Sequence, residues 1–115
     1  MLKLEYSPLV LEKLKTLKEE TLQYGNTADG LKDFTKMLEY ITTLQESPRL
    51  GVDIRNRYGI ETHYWYLFTH RHYFVYRFDE ETVSIIQMFH EQEDFILQLF
   101  GVSGRTQESK DYWGE

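Results

Sequence analysis

Two histidines flank an arginine at His70-Arg71-His72, and four aromatic rings crowd the next six positions at Tyr73, Phe74, Tyr76 and Phe78. On an extended chain the two imidazoles would share one side, with His63 within reach from a neighbouring strand. Zinc is held by such sets of three nitrogens with a fourth position open. No carboxylate sits at ligand spacing beside them, however, and His70 falls where a turn is expected. The plainer reading is of turn and partly buried histidines, with no metal and no cofactor.

The segment His90-Glu91-Gln92-Glu93-Asp94 has the outline of a zinc-protease helix, but Asp94 stands where the second histidine belongs. It also follows a strand, so the i, i+4 geometry of that motif fails. No glycine-rich phosphate loop follows a strand, and there is no Gly-x-Ser-x-Gly elbow. The tyrosines of HYWYLF, residues 63–68, have the rings to stack on bases. In a small sheet protein with nine tyrosines they more often line a core or an interface.

Charge is distributed unevenly along the chain. Residues 1–48 are net −2 and residues 79–115 net −7, while residues 49–78 carry five arginines against Asp53 and Glu61, net +3. A binder of nucleic acid by charge alone is basic across its contact face. Only the central third qualifies. The 115 residues suit one domain with a single core, without cysteines and without an apolar run long enough for a membrane. The opening MLKLEYSP lacks the apolar centre of a signal peptide, and together with the missing cysteines this predicts a cytoplasmic protein.

These side chains need elements to hold them. Leu2, Leu4 and Tyr6 alternate with Lys3 and Glu5 as in a short strand. Ser7-Pro8 then reads as a cap and first helical residue. Val10, Leu11, Leu14, Leu17 and Leu22 recur at helical spacing up to a stop at Gly25-Asn26. A second helix is expected from Thr27, with Leu31, Phe34, Leu38, Ile41 and Leu44 as its stripe and Ser47-Pro48 as its end. Residues 49–59, rich in arginine and with Gly51 and Gly59, read as a loop or a ragged lead-in to the strands. Three strands are expected near 60–68, 72–78 and 82–90, joined by links short enough to force antiparallel neighbours. Residues 94–100 read as a short closing helix or strand, and 101–115 as a polar tail, loose unless Tyr112-Trp113 dock.

The class is therefore α+β: an N-terminal strand and a helical hairpin packed on one face of a small antiparallel sheet. On the central strand His72, Phe74, Tyr76 and Phe78 should face the helices. Tyr73 and Arg77, with Arg71 at the strand's entrance, should face solvent or a partner.

In this order, LEYSPLVLEKL (4–14), LQESPRL (44–50), RHYFVYRFDEETVSIIQMFHEQEDF (71–95) and the tail from Thr106 to Trp113 resemble the RelE/ParE superfamily of type II toxin–antitoxin toxins, also called plasmid-stabilisation proteins. The resemblance spans residues 2–100. It implies a growth-inhibiting bacterial protein of an addiction module, held inactive by a cognate antitoxin and present as a homodimer or a toxin–antitoxin hetero-oligomer. RelE-like members cleave mRNA on the ribosome, using lysines and arginines on one sheet face. Those cationic positions fall here at Tyr64, Tyr66, Tyr73 and Glu91, none of which supplies positive charge at neutral pH. Such chemistry would need a substitute set, for which Arg71, Arg77, His72 and His90 are the candidates. ParE-like members instead poison DNA gyrase by binding, which is the reading these residues favour. A non-toxic relative kept as a binding module is the third reading. Arg55, Arg57, Tyr64, Tyr66, Arg71, Tyr73 and Arg77 are the residues expected to meet a target or antitoxin.

Overall fold

The computed structural model describes residues 1–24 and 27–101. The proposed helix stop at Gly25-Asn26 and the tail beyond Gly101, with Tyr112-Trp113, lie outside the described residues. Strand β1 (Lys3–Tyr6) leads into α1 (Pro8–Tyr24) and α2 (Thr27–Thr42), followed by 3-10 turns at Thr43–Gln45 and Pro48–Leu50. Then come β2 (Val52–Asp53), α3 (Ile54–Tyr58), β3 (Trp65–Thr69), β4 (His72–Phe78), β5 (Thr82–His90) and α4 (Phe95–Phe100).

The expected α+β class holds. The five strands form one sheet in the order β1-β5-β4-β3-β2. β2 through β5 pair antiparallel with their neighbours, whereas β1 joins the edge parallel to β5, with Leu4 opposite Val83. The sheet is thus mixed. A parallel join needs a long crossover, and the whole span from α1 to β4 supplies it.

Helix α1 starts where its cap permits. The Ser7 hydroxyl accepts from the Val10 N–H at 3.2 Å and donates to the Ile86 carbonyl at 3.0 Å, so one side chain both starts the helix and ties it to β5. Only part of the expected apolar stripe is used. Val10 and Leu14 are buried and Leu17 packs beside them, but Leu11 and Leu22 are exposed. From α2, Met37 and Ile41 enter the same core, with Leu44 from the turn that follows. Their counterparts on the sheet are Leu67, Phe74, Tyr76, Val83, Ile85 and Met88. Each fully buried aliphatic side chain of this kind contributes about 1.5–3 kcal/mol of transfer free energy.

Ile85 and Met88 lie three apart, which simple alternation would place on opposite faces. A bulge resolves this: β4 pairs Val75 with Gln87 and then Tyr76 with Ile85, leaving Ile86 as the extra residue. Both Ile85 and Met88 thereby face the helices.

Two expectations fail beside the sheet's other edge. Residues 49–59 are not a loop but contain a 3-10 turn, β2 and α3; Asp53 caps α3 by accepting from the Arg55 N–H at 3.0 Å. The strand expected from residue 60 starts only at Trp65. Tyr76 organises this corner. Its buried hydroxyl donates to the Pro48 carbonyl at 2.6 Å and accepts from the Gly51 N–H at 3.1 Å.

Candidate functional site

The sheet face away from α1 and α2 was expected to be open. It is not: Ile54, Val75, Phe89, Phe95 and Ile96 form a second buried core there, roofed by α4 and the start of α3. Asp94 starts α4 by accepting from the Leu97 N–H at 3.0 Å, and Gly101 ends it in the left-handed conformation. Both ends of this six-residue helix are set by residues whose types suit those positions.

Tyr64, Tyr66 and Tyr73 surround that roof. Tyr73 stacks on Phe95 with centroids 4.5 Å apart, and Tyr66 meets Phe95 edge-on at 5.1 Å and Tyr73 at 5.6 Å. Phe68, 46% exposed, lies 4.8 Å from Tyr73 and extends the ring patch to the surface. Burial pushes the Tyr66 hydroxyl up to about 12, reinforced by the adjacent Tyr58 hydroxyl, while Arg57 draws it the other way. At neutral pH it is an uncharged phenol and cannot serve as a base. The patch offers aromatic area and hydroxyl hydrogen bonds, not charge.

The histidines gather at one end of the sheet. His70 and Arg71 form the two-residue turn between β3 and β4, with φ of 49° and 66°. His72 and His90 are directly opposed across β4 and β5, their rings edge to face at 5.4 Å. The His72 Nδ1 lies 2.8 Å from the His70 carbonyl, which can only accept, so that nitrogen carries the proton. The His90 Nδ1 accepts from the Gln92 N–H at 3.2 Å, so the neutral His90 ring carries its proton on Nε2. Two neighbouring rings are therefore held as opposite tautomers, one with a free acceptor and one with a free donor. They line a groove of about 530 Å³ against α1, into which Lys13, Glu12 and Glu20 also project. Lys13 Nζ donates to the Met88 carbonyl at 3.0 Å and lies 5.0 Å from the Phe89 ring. Arg71 lines this groove, not the tyrosine patch, and its Nε is 3.9 Å from Glu91.

Arg77 stands apart. It sits opposite Ser84 near the other end of β4, six residues from Arg71 and so about 20 Å along an extended strand. The substitute set of Arg71, Arg77, His72 and His90 is thus split: three residues converge and Arg77 does not. Asp79, beyond β4, is held below the usual carboxylate range by the backbone N–H groups of Glu81 and Thr82, with Arg77 adding to this. Arg55 and Arg57 lie on α3, exposed, with only Arg57 near the tyrosines. His63 lies in the lead-in to β3, lining a separate pocket with Arg49 and Arg55. Among the described residues no three His, Asp or Glu side chains are grouped to hold a metal ion. No helix among them is long and apolar enough to cross a membrane.

No protein-family model and no curated protein matches the chain. A solved structure described as the chromosomal ParDE TA system from P. aeruginosa does match, with a TM-score of 0.62. The overlap covers 78% of this chain and 96% of the matched one, at 14% identity. The fold is shared. The mixed sheet and helical hairpin therefore belong to an architecture that this chain has in common with a chain of that structure.

Within this ParDE-like fold, several participants were not singled out by sequence reasoning. Tyr58, Phe68 and Phe95 belong to the ring patch, and Lys13 belongs to the histidine groove. Phe95 and Lys13 meet their partners across long stretches of chain, so no local pattern marks them; Phe68 joins through its hairpin partner Tyr73 and Tyr58 through Tyr66. Asp94, three residues before Leu97, and Gly101, directly after Phe100, are the local signals for α4.

Proposed function

We propose that this protein is the toxin of a bacterial toxin–antitoxin module, acting in the cytoplasm by binding an essential target, DNA gyrase, and neutralised by a cognate antitoxin. The observation that carries this reading is the tyrosine patch. At positions where the RelE-like resemblance calls for cations, Tyr66 and Tyr73 pack on Phe95 and Tyr64 lies beside Phe100, with Tyr66 held neutral. A transferring phosphate needs positive charge aimed at it, whereas a protein partner needs aromatic area with polar tips. The ParDE likeness of the fold agrees with this choice. Arg57 and the exposed Phe68 border the patch and belong to the same contact surface.

Induced expression should arrest growth, with gyrase supercoiling activity inhibited in lysates and restored by the product of an adjacent small reading frame. Normal growth at confirmed expression would sink the proposal.

One observation favours a second reading, a ribosome-dependent endoribonuclease. His72 and His90 present a free acceptor and a free donor beside Arg71 and Lys13, the complement needed for acid–base cleavage of a phosphodiester. Codon-phased transcript cuts after induction, lost in His72→Ala and His90→Ala, would favour it over gyrase binding. Antitoxin binding without toxicity would instead identify a non-toxic binding module.

A further inference from the structure

Away from both of these surfaces, at the sheet edge formed by β2, a pocket of about 280 Å³ gathers Arg49, Arg55, Thr62 and His63 against Trp65 and Phe78. Its polar groups are nearly all donors. Among the described residues neither guanidinium has a carboxylate within 4.0 Å. The one acid in the lining, Asp53, already uses Oδ1 to cap α3. The Thr62 hydroxyl accepts from the Tyr64 N–H at 3.1 Å and so keeps its own proton to donate. The walls are aromatic: Trp65 meets Phe78 edge-on at 5.5 Å, and the Arg49 guanidinium lies 5.6 Å from the Phe78 ring. Trp65 is itself only half-buried.

A convergent set of unpaired arginines beside an accessible indole suits a ligand with a multiply accepting anion next to a flat ring. Guanidinium forks match phosphate oxygens two at a time, and indole faces stack on bases irrespective of sequence. The pocket also lies in the one stretch of an acidic chain that is net positive, residues 49–78. We propose that this pocket binds a nucleotide, its phosphate held by Arg49 and Arg55 and its base against Trp65. This inference does not depend on the toxin reading, since it uses none of the tyrosine patch and none of the groove histidines.

The test is a fluorescence titration of the full chain carrying Trp113→Phe, which leaves Trp65 as its only indole. AMP, ATP, a short oligoribonucleotide and inorganic phosphate are the probes. AMP and ATP should quench Trp65, and Arg49→Ala or Arg55→Ala should each weaken binding about tenfold or more, as expected for a lost charge-assisted bond. A Lys36→Ala control on the far helix should not. Circular dichroism confirms folding, and Arg55 is exposed enough for its loss to leave the fold intact. Tighter binding of the oligoribonucleotide than of AMP would assign the nucleotide to a strand; the reverse would assign it to the free pool. Absence of quenching by any nucleotide, quenching unchanged in both arginine variants, or inorganic phosphate binding as tightly as AMP would overturn the proposal.

Discussion

Tyr76 shows how much a single side chain decides in this fold. Its ring is buried among residues of both helices and the sheet, and its hydroxyl holds the chain at Pro48 and Gly51. A Cβ at Gly51 would run into the Tyr66 carbonyl and stand 2.6 Å from the Tyr76 hydroxyl, so only glycine lets the backbone come this close. Tyr76→Phe leaves the Gly51 N–H and the Pro48 carbonyl without this partner, at a cost of about 1–3 kcal/mol. Denaturant melts should show that loss, and hydrogen exchange should show the segment from Pro48 to Asp53 opening before the rest. A variant as stable as the parent would mean the clasp is dispensable. The alternation of β4 was enough to place Tyr76 in the core. Its role as a clasp was not legible, because its partners lie 28 and 25 residues earlier in the chain.

At the scale of elements, strands and helices with a strong local signal were readable, and elements set by distant packing were not. α1 carries its own cap, and β4 and β5 carry dense β-branched and aromatic residues; all three fall where expected. α3 is too short for a periodic pattern, and the bulge at Ile86 depends on which residues β4 offers opposite it. The turn between β3 and β4 is the sharpest conflict between sequence and structure. Two-residue hairpin turns with both φ positive favour Asn-Gly, yet His70-Arg71 occupies this one. Left-handed backbone costs an ordinary residue about 1–2 kcal/mol, and the exposed Arg71–Glu91 pair returns little of it. Replacing the pair by Asn-Gly should therefore stabilise the protein by about 1–2 kcal/mol and raise Tm by several degrees, read by thermal melting. An unchanged or lower Tm would show that the turn is unstrained. Strain of this kind persists where a site uses it, so the same variant should lose whatever activity the His72–His90 groove supports.

Across the whole molecule, one sheet separates two cores, and each holds a tyrosine whose proton is unusually hard to remove. Tyr76 lies on the side of α1 and α2 and Tyr66 on the side of α4; burial pushes both up to about 12 from the ordinary 10. Below pH 10 these phenols are protonated whether the chain is folded or not, and their contribution to stability is complete. Between 10 and 12 the unfolded chain loses its protons first, so stability must fall as pH rises through that window. Because β4 and β5 contribute residues to both cores, the two cores share their central strands and are expected to melt together. Tyrosinate absorbance, near-ultraviolet circular dichroism and helix content should therefore change together in one alkaline transition. In Tyr66→Phe and Tyr76→Phe the slope of stability against pH in that window should shrink, whatever each substitution does to stability at neutral pH. Ionisation of the Tyr66 side before the helices melt would show that the two cores are separate cooperative units. In that case α4 and its ring patch could open on their own, and the surface proposed for the target would exist in two states in place of one.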